Sequence, residues 1–160
     1  MTSDLLRVED LKIDFHVHGG VINAVKGGSF NIKHGSTLAL VGESGSGKSV
    51  IAQAIMGILP KVGRISGGRI LFSDPAANGA VVDIAALDPD GQAMRRIRGG
   101  RISIIFQEPM TSLSPLHTVG DQVSEALHLH RDVDKAAGKD LTIEMLRLVG
   151  FPDPERAYRN

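Results

Sequence analysis

Eight consecutive residues, Gly42-Glu43-Ser44-Gly45-Ser46-Gly47-Lys48-Ser49, constrain this chain more than any other feature it has. They fit G-x-x-x-x-G-K-[ST], in which glycines let the backbone curl so that successive amide N–H groups point at phosphate oxygens. Such a loop sits between a strand and a helix, because the helix's N-terminal dipole favours the same negative charge. The sequence predicts both neighbours. Thr37 to Val41 (TLALV) is apolar on both faces, the pattern of a strand buried in a mainly parallel sheet. Ser49 to Leu59 (SVIAQAIMGIL) is apolar nearly all round, which predicts a buried helix closed by Pro60. With this chain's usage of Gly, Lys and Ser/Thr, the motif arises by chance with a probability of about 1%. The candidate nucleotide-binding residues are therefore Gly42, Glu43, Ser44, Gly45, Ser46, Gly47, Lys48, Ser49 and the adjoining Val50. In this reading Lys48 reaches the β- and γ-phosphates and the Ser49 hydroxyl ligates Mg²⁺.

The remainder reads as strands first and helices later. Leu5 to Phe15 and Val21 to Ile32 are β-type stretches joined by the turn HVHGG, with Leu11, Ile13 and Phe15 on one face by period-two alternation. Gly68 to Phe72 and Ala80 to Ile84 are further short strands around a loop at Ser73 to Gly79. Asp90 to Arg98 predicts a short surface helix stopped by Gly99 and Gly100, and Ile102 to Phe106 another buried strand. Beyond Pro115 the periodicity turns helical, with Val119, Val123, Ala126 and Leu127 on one face and Leu141, Met145, Leu148 and Val149 on another. The organisation expected is a P-loop α/β nucleotide-binding core with a β flank over 1–110 and a helical part over 111–160.

Composition narrows the partners. Eighteen basic and eighteen acidic residues leave no global field to draw the chain to nucleic acid or anionic lipid. The absence of cysteine excludes disulfides and thiolate metal sites. No apolar run reaches signal-peptide or membrane-span length, so any membrane role is expected to come through partners. Arg95, Arg96, Arg98 and Arg101 read as a solvated helix face, and His16 and His18 as surface histidines lacking a third metal ligand.

A P-loop ATPase also needs an acidic group for the metal and a group that positions the nucleophile. Val81-Val82-Asp83 offers one carboxylate, and a small kinase using Asp83 is the alternative enzyme; the plainer reading makes Asp83 a surface aspartate on an edge strand. A third possibility is a regulatory domain that keeps the loop as scaffold. Ile102 to Thr118 (ISIIFQEPMTSLSPLHT) is more informative, because a strand delivers Gln107 at its end and a Pro/Ser/Thr-rich loop follows.

With GESGSGKS upstream, the wording FQEPMTSLSP resembles the ATP-binding cassette (ABC) ATPases, in particular the dipeptide, oligopeptide and nickel importer group. The resemblance runs from about Leu5 to the last residue; Ser114 stands where that group often has asparagine, which leaves the transported solute open. It implies an α/β P-loop NTPase core of ABC type, with an antiparallel β flank and an incomplete helical subdomain beginning in the Q-loop. It implies ATP and Mg²⁺ as ligands, Phe15 as the aromatic that stacks on adenine, and Gln107 as the Q-loop glutamine touching Mg²⁺ or the attacking water. Lys48 and Gln107 are thus the catalytic candidates, and Ser49 and Gln107 the metal candidates. The implied partners are transmembrane permease subunits docking at the Q-loop region, a second nucleotide-binding domain in a head-to-tail dimer and, indirectly, a periplasmic or extracellular solute-binding protein. The implied location is peripheral, at the cytoplasmic face of the cell membrane. The family's LSGGQ-like signature, Asp-Glu strand end and switch histidine do not occur in these 160 residues. The chain alone is therefore expected to bind nucleotide weakly and to hydrolyse almost none.

Overall fold

The computed structural model of the chain describes residues 4–107 and 113–160; Glu108 to Ser112 of the Q-loop wording lie outside the described residues. Two compact units are present, Met1–Ile104 and Ile105–Asn160, so the division falls a few residues before the boundary expected at 110.

In the first unit, β1 (Asp4–Val17) and β2 (Gly20–Lys33) form a long hairpin. With β3 (Gly63–Asp74) and β4 (Ala80–Asp83) they make an antiparallel sheet in the order β2-β1-β3-β4. The apolar alternation along β1 is interrupted once. Val8 and Leu11 are both buried although three residues apart, because the register shifts between them and Asp10 takes φ 44°. Opposite this bulge Gly68 has φ 84°, and a Cβ there would overlap the carbonyl oxygens of Glu9 and Asp10. Only glycine fits that approach. The core combines Leu11, Ile13, Ile70 and Phe72 of the sheet with Ile51 and Ala54 of α1 (Lys48–Ile55) and Met94 and Ile97 of α2 (Gln92–Ile97). Burying each large aliphatic side chain contributes about 1.5–3 kcal/mol.

The helix after the loop is shorter and less enclosed than its composition predicts. It ends at Ile55, well before Pro60, because Gly57 takes φ 62° and closes a C-terminal cap. The Gly57 amide donates to Ala54 O at 3.0 Å and the Ile58 amide to Gln53 O at 2.9 Å. Of the helix's side chains only Ile51 and Ala54 are fully buried. Arg98, expected on a solvated face, instead clamps this end: Nε donates to Met56 O, and Nη2 to Gly57 O and Pro89 O, at 2.8–2.9 Å. Arg101 pairs with Asp74 at 3.3 Å, which leaves Arg95 and Arg96 as the exposed basic pair.

Two expected strands are not formed. Thr37–Val41 lies in no helix, strand or turn, and Val41 is 89% exposed. Ile102–Phe106 makes a single parallel bridge, Arg98 to Ile102, and Ile105 is 93% exposed. A strand exists only where a neighbour accepts its backbone hydrogen bonds. The antiparallel sheet supplies none to either run, so among the described residues the parallel part of the core is unpaired.

The second unit holds α3 (Val119–His130), α4 (Lys135–Leu148) and α5 (Pro154–Arg159), a short helix that the periodicity did not reveal. Thr118, Asp134 and Asp153 cap the three N-termini through their side chains. The faces in contact differ from those predicted. Gly120 and Ser124 are buried on α3, and Gly138, Thr142 and Leu146 on α4, while Ala126, Met145, Leu148 and Val149 are exposed. The reason is close approach: Gly120 lies against the Tyr158 backbone and ring, and Gly138 against the His128 ring, positions a side chain would fill.

Candidate nucleotide-binding site

The loop Gly42–Ser49 is shaped by two glycines in the left-handed region. Gly45 (φ 81°) is the third residue of a turn closed by the Ser46 amide, which donates to Glu43 O at 3.2 Å. Gly47 (φ 91°, ψ 0°) is the N-cap of α1 and brings no side-chain cap. The first intrahelical bond runs from the Ile51 amide to Gly47 O. The amides of Lys48, Ser49 and Val50 accordingly have no acceptor within the helix, and they point along its positive end.

Close contacts hold this shape. Gly47 is buried against β2, where a Cβ would come 2.9 Å from Ala24 O and 3.2 Å from the Val25 side chain. A Cβ on Gly42 would project into the curl, 2.8 Å from Ser46 Oγ and 3.9 Å from Lys48 Nζ. Lys48 Nζ folds into the same concavity, donating to Gly42 O at 2.8 Å, Glu43 O at 2.7 Å and Ser46 Oγ at 3.2 Å. Uncapped amides, an ammonium folded into the loop's concavity and glycine where a side chain would obstruct form a donor set that fits a polyphosphate. Exchanging neutral carbonyl acceptors for phosphate oxygens would give the Lys48 ammonium stronger bonds, to acceptors of opposite charge.

The remaining candidates occupy different settings. Ser49 is exposed beside Lys48, where its hydroxyl is available to a metal. Val50 packs its side chain on the core margin, so it can offer a ligand only its amide. Glu43, Ser44, Gly45 and Ser46 are exposed on the loop. The Phe15 ring lies over Gly63, 3.1 Å from where a Cβ would stand, and partly buried against the core. The loop touches β2 at Val25, which pairs with Ile13 of β1; Phe15 is two residues further along, or about 7 Å. Gln107 is exposed and belongs to the second unit.

Ala24 and Val25 were not among the sequence candidates, and no local motif could have singled them out, since their role comes from a contact across the fold. Asp83 proves to be structural. Its Oδ1 accepts from the amides of Ile70 and Ala85, both at 3.1 Å, and caps the 3-10 turn Ile84–Ala86. It is half-buried in that role rather than a surface aspartate, and its committed oxygen argues against the kinase alternative. Among the described residues no three His, Asp or Glu side chains gather as a metal site, His16 and His18 included.

The fold and the sequence have counterparts among known proteins. The chain superposes on the dimeric, ADP- and phosphate-bound ATP-binding cassette MJ0796 with a TM-score of 0.76 at 22% identity, covering 96% of this chain and 60% of that one. It is 46% identical over 151 residues to the dipeptide transport ATP-binding protein DppD of Bacillus subtilis, covering 94% of this chain and 42% of that protein. It is 44% identical over 153 residues to the oligopeptide transport ATP-binding protein OppD of the same organism, covering 95% and 40%. The chain thus spans less than half the length of these relatives. The sequence profile of the ABC transporter family matches residues 25–158, a stretch that includes the whole phosphate loop, and the chain belongs to that family.

Proposed function

We propose that this chain is the nucleotide-binding part of an ATPase subunit that drives uptake of peptides or a similar small solute. The observation that carries the reading is the loop itself, where α1 opens with amides that have no helical acceptor, the Lys48 ammonium folds into the curl, and Gly47 sits against a seat formed by β2. The names of the relatives, dipeptide and oligopeptide transport ATP-binding proteins, support the class of solute.

In this reading Lys48 binds the β- and γ-phosphates and Ser49 holds Mg²⁺, with Gln107 contributing from the Q-loop. The metal neutralises charge that develops on the transferred phosphoryl group. Phe15 supplies an adenine-stacking surface at the end of β1, worth about 1–3 kcal/mol. The chain's own residues bind and orient the triphosphate, and positioning with electrostatic stabilisation is most of what phosphoryl transfer asks of a protein. No helix among the described residues is long and apolar enough to cross a membrane. We therefore assign membrane attachment to permease subunits that dock at the Q-loop region on the cytoplasmic face. A second nucleotide-binding domain, arranged head to tail, and an external solute-binding protein complete the proposed assembly.

A thermal-shift titration tests the reading, because a ligand bound only by the native state raises apparent stability. Mg·ATP should raise the melting temperature of the wild-type chain and leave Lys48→Ala unchanged. Phosphate release by the chain should not exceed that of Lys48→Ala. Equal thermal shifts in the two proteins would refute the loop's role, and turnover well above the variant would refute the expectation of an inactive piece.

A further inference from the structure

The helix that follows the phosphate loop is held at its two ends and only thinly between them. At its start Gly47 rests on Ala24 and Val25 of β2. Along its eight residues only Ile51 and Ala54 are fully buried. Its far end borders a cleft of about 610 Å³, lined in part by Ala54, Gly57, Ile58, Leu87 and Arg98, so close packing does not fix it on that side. Hydrogen bonds do. Arg98 Nε donates to Met56 O at 2.9 Å, and Nη2 to Gly57 O at 2.9 Å and Pro89 O at 2.8 Å. A guanidinium suits this work, because its donors form a rigid fork and its charge meets the negative end of the helix dipole. The arm is itself anchored. The Arg98 amide donates to Met94 O at 2.8 Å, and Met94 and Ile97 of α2 are buried in the core. Gly57 completes the fit, since a Cβ there would stand 3.1 Å from both Arg98 Nη2 and Met94 Cγ.

We propose that Arg98 is a positioning residue for nucleotide binding, holding the far end of α1 so that the amides at its start keep the place a triphosphate requires. The inference rests on the function proposed above and adds to it a residue outside the phosphate loop. Released at its far end, α1 would rock on the Ile51 and Ala54 contacts. Ile51 lies about 5 Å along the axis from Lys48, so a tilt of about 10° turns the opening amides by that angle and carries them about 1 Å. Hydrogen bonds weaken with distance and with angle, and a misplacement of about 1 Å can cost about a hundredfold where several groups must be aligned. The loop's own residues hold the phosphates, and Arg98 acts on them only through the helix.

Residual dipolar couplings and a Mg·ATP titration test this in the wild type, Arg98→Ala, Arg98→Lys and Asp83→Ala, each kept well below its melting temperature. Without nucleotide, the α1 amides of the wild type should fit the same alignment as those of β1 and β3. In Arg98→Ala the α1 couplings should depart from that alignment while the strands keep it. The Kd for Mg·ATP, read from the Gly45 and Lys48 amide resonances, should rise about tenfold, the loss of one well-aligned bond to a charged group. Arg98→Lys keeps the charge without the fork, so it should fall between the other two in both measurements. Asp83→Ala loses stability through a different cap and should keep both the α1 couplings and the affinity of the wild type, which a general loosening of the fold would not allow. Wild-type couplings in α1 of Arg98→Ala, or an affinity within twofold of wild type, overturn the inference. So does an Arg98→Lys protein equal to wild type in both, or an Asp83→Ala protein that loses as much affinity as Arg98→Ala. Should Arg98→Ala not fold, Arg98→Lys decides by the same two measurements. If the wild type shows no shift at Gly45 or Lys48, the nucleotide reading fails, and the couplings still decide whether Arg98 orients α1. If the wild type binds and Arg98→Ala binds as tightly, only the positioning fails.

Discussion

The sheet of the first unit and the helices of the second meet the same packing requirement with opposite residues. Leu11, Ile13 and Ile70 are 0% exposed in the sheet, where large aliphatic side chains fill the space against α1 and α2. In the helical unit the buried positions are mostly small: Gly120 and Ser124 on α3, Gly138 and Thr142 on α4. Their hydroxyls bond back one turn, Ser124 Oγ to Gly120 O at 2.6 Å and Thr142 Oγ1 to Gly138 O at 2.8 Å, so neither buried hydroxyl is left unpaired. The apolar stripe on α4 meanwhile faces outward, with Leu148 71% exposed. Hydrophobic periodicity thus locates the buried face of the sheet, whereas in the helices it locates positions that are mostly half-buried on α3 and largely uncovered along the later part of α4.

The contrast can be broken by substitution, the largest effect being expected in the sheet. Ile13→Ala should cost about 2–5 kcal/mol by chemical denaturation, as the cavity adds to the lost transfer energy. Leu148→Ala, equally apolar but exposed, should stay within about 0.5 kcal/mol of wild type. Similar losses for both would erase the distinction between the two regions. Gly120→Ala comes next, at about 1–3 kcal/mol, because its Cβ would overlap the Tyr158 backbone oxygen and ring. Exchange protection should fall across α3 and α5 and hold in the sheet; an unaffected α3 would mean the close approach is not what holds these helices.

A smaller loss, about 1–2 kcal/mol, is expected for Asp83→Ala, which frees the amides of Ile70 and Ala85. Mg²⁺-nucleotide affinity should be unchanged, whereas a kinase built on Asp83 would lose it. The smallest effect concerns Asp14 on β1. Hydrogen bonds from Asn23, at 2.7 Å, and then from Ser66 hold its carboxyl below its ordinary value of 3.8. A carboxyl whose pKa is lower in the folded than in the unfolded state stabilises above the unfolded value, and that contribution is lost as pH falls through the folded one. Asn23→Ala should therefore move the Asp14 midpoint, followed by NMR, up toward 3.8. The wild-type advantage should vanish at lower pH. A midpoint that does not move would discount the Asn23 bond.

How far the sequence could be read follows from the range of each cause. The hairpin and the phosphate loop are local, set by alternation along β1 and by glycine spacing in eight residues, and both are present as expected. The bulge at Asp10 was hidden because it depends on Gly68 across the sheet. Thr37–Val41 has a strand's composition, yet pairing is a property of two segments and one segment's pattern cannot supply it. Arg98 looked like one member of a basic face because nothing nearby reveals that it closes the end of α1, more than forty residues earlier. The motif alone proposes Lys48 and Ser49, while the contact of Gly47 with Ala24 and Val25 is visible only in the fold.

The central claim is that the curl between Gly42 and Ser49 captures the tail of a nucleoside triphosphate. Amide resonances of Gly45, Gly47, Lys48 and Ser49, followed while Mg·ATP is added, report on it directly. Saturating shifts of these resonances in the wild type, lost in Lys48→Ala, are the predicted result. Resonances that stay in place at millimolar Mg·ATP, or that shift equally in the variant, would contradict it.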